Sequence, residues 1–182
     1  AAMEFRGVHV HVGSQVFDVE SFSQAVQALA PVVNAAGAEE FSIGGGLGVA
    51  YVAGESSGSI AEWGAAVQSV ASDAGITARI TAEPGRAIVA QAAVTAYTVG
   101  TIKTVPGIRT YVSVDGGMSD NPRPVLYGSG YEAALARSID AERPLGVRIV
   151  GKHCESGDVI VKHASLPADV AIGDVVITPV TG

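Results

Sequence analysis

The sequence predicts an α/β segment built from consecutive βα units, residues 1–90, followed by a mostly antiparallel β domain, residues 91–182. Three observations predict this. Apolar strand-like runs alternate with amphipathic helical runs from residue 6 to about residue 90. The first three strand ends, near residues 12, 43 and 82, are spaced by roughly a βα repeat of about 30 residues or more, which argues for parallel neighbours. Past residue 90 the texture changes to short Val-, Ile- and Thr-rich stretches broken by Gly, Pro and Asp.

Taken in order, residues 6–12 read as a Val-rich strand. Asp18 is placed to cap a helix whose Phe22, Val26, Leu29, Val32 and Val33 share one face and which stops near Gly37. Residues 40–43 form the next strand and run into a glycine loop. A second helix fits residues 59–71, with Ile60, Trp63, Val67 and Val70 on one stripe and Gly75 as its stop. Residues 76–82 make the third strand. In the second domain, strands are expected at 93–104, 109–114, 147–150, 159–162 and 174–178. Parallel strands put all three early strand ends on one face, the face that carries the site in (β/α) barrels.

The composition narrows the function classes. A chain of 182 residues, 48% apolar and 16% charged, has enough material for one large or two small cores. With 11 basic against 18 acidic residues and a net charge of −7, it offers no basic footprint for nucleic acid or an anionic membrane. Any anion must therefore be held locally. The single cysteine, Cys154, cannot form an internal disulfide, which fits a reducing, cytoplasmic setting. No apolar run of 18 residues and no signal-peptide pattern occurs, and both ends read as cut within a longer chain.

Five segments carry chemistry. Gly44-Gly45-Gly46-Leu47-Gly48 lets backbone N–H groups approach an anion, although such loops also simply turn the chain. Its spacing is not that of a dinucleotide fingerprint. Glu83-Pro84-Gly85-Arg86 sets a carboxylate and a guanidinium on a tight turn; it reads either as a surface ion pair or as a partner for a pyridine nitrogen and an anion. His9 and His11 point the same way on a strand, with Ser14 just beyond. Metal binding would need further ligands that do not follow at suitable spacing, so no metal is expected. His11 is either an interior histidine or a flat ring stacked on an aromatic cofactor. Arg123, between two prolines, with Tyr127 behind it, is suited to clamp a substrate carboxylate, or lies in a mere connection. Cys154, in Cys154-Glu155-Ser156-Gly157-Asp158, sits among small, acidic and hydrogen-bonding residues that an ordinary core strand would not choose.

Together, His11-Val12-Gly13-Ser14-Gln15, the glycine loop, Glu83-Pro84-Gly85-Arg86, Arg123-Pro124-Val125-Leu126-Tyr127 and Cys154-Glu155-Ser156-Gly157-Asp158 resemble, in this order, the diaminopimelate decarboxylases of the fold-type III pyridoxal-phosphate family. The Cys-Glu form favours these over the ornithine and arginine decarboxylases. The resemblance implies the last three βα units of a (β/α)8 barrel followed by most of a β domain, both incomplete. It implies pyridoxal 5'-phosphate as cofactor and decarboxylation of meso-diaminopimelate to L-lysine and CO2. His11 would stack on the cofactor ring, Ser14 and Gly46 would hold its phosphate, Glu83 would pair with its ring nitrogen, and Gly45, Gly85 and Arg86 would complete the cofactor-binding set. Cys154 would protonate the product carbon, while Arg86, Arg123, Tyr127 and Glu155 would recognise the substrate. A homodimer in which Cys154 and Glu155 complete the partner's site is implied as well. The family's cofactor-anchoring lysine has no counterpart here, since Lys103, Lys152 and Lys162 stand in other contexts, and the Tyr that follows the final Gly is absent. The chain is therefore expected to be a C-terminal piece, inactive alone. The rival expectation is a non-catalytic paralogue that acts as a dimerising or regulatory partner.

Overall fold

A computed structural model describes residues 3–182. The chain divides into two compact units, one formed by residues up to 50 with 54–90, the other by residues 51–53 with 91–182.

The first unit holds β1 (Gly7–His9), α1 (Glu20–Ala36), β2 (Glu40–Ser42), α2 (Ile60–Asp73), β3 (Arg79–Thr81) and the short α3 (Arg86–Val89). The three strands pair in the order β1-β2-β3, all parallel, with Val8 opposite Phe41 and Phe41 opposite Ile80. The strands are shorter than the sequence predicts, because beyond His9 and Ser42 the chain leaves the ladder to build loops. Phe41, on the central strand, is fully buried. Phe22 of α1 meets Trp63 of α2 edge to face, with ring centroids 5.2 Å apart. This contact, with Val26, Val33 and Val67, forms the core under the sheet.

The helical faces need correcting in two places. Val32 is 52% exposed and Ile60 41% exposed, so neither belongs to the buried stripe. Val32 lies about a quarter turn from Val33 at 3.6 residues per turn, and Ile60 is the first residue of α2, before the helix closes on the core. Asp18 lies one residue before the cap position: its carboxylate accepts the Glu20 N–H at 2.9 Å, while Val19 is the N-cap without a side-chain bond. α2 begins with a capping box in which Ser59 Oγ accepts the Glu62 N–H at 3.1 Å and Glu62 Oε2 accepts the Ser59 N–H at 2.8 Å.

The second unit is a six-stranded sheet of order β6-β9-β4-β5-β7-β8, formed by β4 (Val94–Val105), β5 (Arg109–Val114), β6 (Ala134–Leu135), β7 (Leu145–Val150), β8 (Val159–Leu166) and β9 (Val175–Pro179). All neighbours are antiparallel except β5 and β7. β4 serves two partners: Val94 to Thr98 pair with β9, and Val99 to Val105 pair with β5, with an irregularity in that ladder between Val99 and Thr101. Val99, Val112, Leu135, Ile149, Leu166 and Val176 fill its core. Residues 123–127, read from sequence as part of a loop, form a one-turn helix, α4 (Arg123–Tyr127), with a proline in its first turn. β6 was not expected either; two residues carry no periodicity.

Candidate active site

The parallel register of the first unit gathers its candidate residues at the strand ends. β1 and β2 set His9 opposite Ser42, and β2 and β3 set Ser42 opposite Thr81. Two residues beyond Thr81, the Glu83 N–H donates to the Gly44 carbonyl at 2.8 Å, which brings the Glu83 carboxylate back over the strand ends. Ser42 Oγ donates to Glu83 Oε1 at 2.8 Å, and His9 Nε2 lies 3.2 Å from the same oxygen. The Ser42 hydroxyl, with His9 and His11 nearby, holds the Glu83 carboxyl below the ordinary glutamate range. Glu83 is therefore an anion at neutral pH.

The glycine loop closes against the segment that follows β1. Gly44 (φ 69°) and Gly46 (φ 94°) have left-handed backbones. A Cβ on Gly46 would stand 1.8 Å from the Gly13 carbonyl oxygen, and one on Gly44 would stand 2.4 Å from the Val10 oxygen. Only glycine allows this approach. Val16 N–H donates to the Gly46 carbonyl at 2.9 Å and Gly48 N–H to the Val16 carbonyl at 2.8 Å, so the two loops are zipped together. Gly45 spends its N–H on His11 Nδ1 at 3.2 Å, which fixes the exposed imidazole with Nε2 as its protonated nitrogen. Gln15, with positive φ, is held by Val49 on both ends of its amide and accepts from Arg86 Nη1 at 3.3 Å. The resulting cleft, about 190 Å³, is bounded by His11, Ser14, Gln15, Gly46, Gly85 and Arg86. It is small, lined by a hydroxyl, backbone and a guanidinium, and suits a phosphate-sized anion.

The second unit carries Arg123, Tyr127, Cys154 and Glu155. The Arg123 guanidinium lies over the Tyr51 and Tyr127 rings, 5.6 and 5.1 Å from their centroids. Its Nε is buried without a hydrogen-bond partner among the described residues, and Tyr127 is 70% exposed. Cys154 is a free, exposed thiol, and Glu155 beside it is exposed too. Their loop hangs on Asp158, which is only 3% exposed. Its carboxylate accepts the Met118 N–H at 2.6 Å and the His153 N–H at 2.8 Å. Glycine at 151 makes room for it, since a Cβ there would stand 2.2 Å from Oδ2. The cysteine is thus presented on a loop fixed from within. A cavity of about 450 Å³, touching Pro124, Tyr131, Gly157 and Lys162, lies between this loop and the Arg123 segment.

The sequence did not single out Ser42, Asp158 or the service of His9 to Glu83. Ser42 had a signal, being the last polar residue before the glycine loop. The burial of Asp158 had none, because nothing local marks which acid of Cys154-Glu155-Ser156-Gly157-Asp158 turns inward.

Fold and candidate residues together define the class: a strand-end glycine-loop cleft with a flat imidazole and an ionised carboxylate in one unit, and a sheet domain that carries an exposed thiol in the other. Residues 15–182 match the family described as pyridoxal-dependent decarboxylase, C-terminal sheet domain, and the chain belongs to that family. The diaminopimelate decarboxylase of Synechocystis sp. is 44% identical over 97% of this chain and 39% of its own length; that of Corynebacterium efficiens is 41% identical over 99% of this chain and 42% of its own. The chain thus spans about two fifths of the length of these curated relatives. The crystal structure of diaminopimelate decarboxylase from Helicobacter pylori complexed with L-lysine aligns with a TM-score of 0.83 at 30% identity, covering 96% of this chain and 43% of that one.

Proposed function

We propose that this chain is the C-terminal part of a pyridoxal-phosphate-dependent diaminopimelate decarboxylase, acting on meso-diaminopimelate to give L-lysine and CO2. The observation that carries the reading is the Glu83 carboxylate, held ionised at the strand ends beside His11 and the Gly44–Gly46 cradle. The residues fit the cofactor: the cleft formed where Gly46 lets the two loops close together matches its phosphate, and an anionic Glu83 matches a protonated ring nitrogen. When bound, the protonated ring supplies a sink for the electron pair left as a carboxylate departs.

The chain's own residues divide the work. Glu83 keeps the ring nitrogen protonated, and His11, its Nδ1 tied to Gly45, offers a fixed flat face. Ser14 Oγ, the Gly46 N–H and the turn at Gly85 hold the phosphate, with Arg86 supplying positive charge. Arg123 and Tyr127 take a substrate carboxylate, and Glu155 takes an ammonium group. After the carbon–carboxylate bond breaks and CO2 leaves, the Cys154 thiol delivers a proton to that carbon. A second copy of the protein completes the site, Cys154 and Glu155 serving the partner. The free, exposed thiol is consistent with a cytoplasmic setting.

The test uses the protein expressed from its complete coding sequence. Added pyridoxal phosphate is expected to give a visible absorbance band that borohydride fixes to the protein, and meso-diaminopimelate is expected to release CO2 and L-lysine. Cys154→Ala should lower turnover roughly a hundredfold to ten-thousandfold while cofactor uptake stays. A protein that takes up no cofactor would overturn the reading in favour of a non-catalytic partner; turnover of ornithine or arginine instead would overturn the substrate.

A further inference from the structure

Ser42 stands at the centre of the first unit's site without touching its cleft. Its hydroxyl accepts the Gly44 N–H at 3.2 Å and donates to Glu83 Oε1 at 2.8 Å. One oxygen therefore joins the first residue of the glycine loop to a carboxylate 41 positions away in sequence. His9 Nε2 approaches the same Oε1, while Oε2 takes no bond from the described residues. Two partners on one oxygen restrain the carboxylate and leave the other oxygen free of bonds from the described residues. The Glu83 side chain is 57% exposed, so without these bonds it would sample several rotamers.

We infer that Ser42 is a positioning residue, whose hydroxyl locks Glu83 by Oε1 to the Gly44 backbone so that Oε2 is presented to the ring nitrogen of the cofactor. The inference rests on the proposed function for its ligand, but not for the Ser42–Glu83 bond itself. The chemistry requires a short side chain that both donates and accepts at this point. Only a group that donates and accepts at once can bridge an N–H and a carboxylate, and serine does so from the last residue of β2. The lowered Glu83 pKa, for which the Ser42 bond is the largest cause, agrees with the geometry. His9 and His11 are the other titratable groups acting on that carboxylate.

The experiment compares Ser42→Ala, Ser42→Thr and Ser42→Val in the protein from the complete coding sequence. Thr and Val share one shape and differ by the hydroxyl alone, so this pair decides even where the alanine variant folds poorly. Two quantities are read: the titration of the Glu83 carboxyl in cofactor-free protein by NMR of 13C-labelled glutamate, assigned with Glu83→Gln, and the dissociation constant for pyridoxal phosphate. Loss of the hydroxyl in the Ala and Val variants is expected to raise the Glu83 pKa and weaken cofactor binding about fivefold, with Thr restoring both. Equal titration in the Thr and Val variants would overturn the inference, and so would a raised pKa with unchanged cofactor affinity. Wild-type protein that binds no pyridoxal phosphate would bring down the proposed function and the cofactor end of this inference, while the titration would still judge the hold on Glu83.

Discussion

Asp158 shows how a single side chain can set a loop. Two backbone N–H groups, from Met118 and His153, end on its buried carboxylate. Asp158→Ala leaves both donors without their acceptor and opens a void, so a loss of about 2–4 kcal/mol in urea unfolding is expected. Asp158→Asn keeps one acceptor oxygen and should cost less. The rate at which Cys154 reacts with a thiol reagent should change in the alanine variant, and an unchanged rate would show that Asp158 does not fix the cysteine loop. Gly46→Ala belongs to the same scale: its Cβ would fall 1.8 Å from the Gly13 oxygen, so the two loops must part. Cofactor affinity by fluorescence titration should then drop by about tenfold or more. Each of these residues sits in a segment that the sequence marks as polar or glycine-rich. What the sequence does not mark is the partner, because Gly13 and Gly46, or Met118 and Asp158, meet only after the chain has folded.

At the scale of elements, helix ends and strand ends respond to different forces. Ser59→Ala removes the capping box of α2 and should cost about 1 kcal/mol, seen as a lower urea midpoint with an unchanged slope. In the second unit, Arg137 Nε and Nη2 grip Asp174 at 2.8 and 3.0 Å, and Nη1 reaches Asp169 at 3.0 Å, tying the end of β6 to the start of β9. The Arg137 bonds and the Ala171 N–H hold the Asp174 carboxyl below the ordinary aspartate range. The folded value lies under the unfolded one, so this contribution is complete above about pH 4 and is lost as pH falls through the depressed folded value. Denaturant midpoints measured from pH 6 downward should fall less steeply for Asp174→Asn than for the wild type. Periodicity made α1 legible at Phe22, Val26 and Val33. It failed at Val32 and Ile60 because burial depends on where the neighbouring helix lies, and it failed at α4 and β6 because one turn or two residues are too short to show a period.

For the whole molecule, the informative feature is the three-stranded parallel sheet. In the order β1-β2-β3, both outer strands have one side unpaired among the described residues. Parallel strands are ordinarily covered on both faces, and open edges template further pairing. The 182-residue chain expressed alone is therefore expected to self-associate, with light scattering that rises with concentration. A monodisperse monomer that melts cooperatively would contradict this. The span of about two fifths of its curated relatives agrees with an unfinished sheet.

By itself the sequence determined the βα alternation, the change to a β domain, the family, and the segments that hold each candidate group, because these depend on local composition and on motifs a few residues long. Tertiary structure decided which groups act on one another. The Ser42–Glu83 bond spans 41 positions, and Asp158 reaches back 40 positions to Met118. Parallel register set the first, since it aligns His9, Ser42 and Thr81 across three strands. Burial set the second, since a carboxylate withdrawn from water must collect N–H donors wherever the fold supplies them.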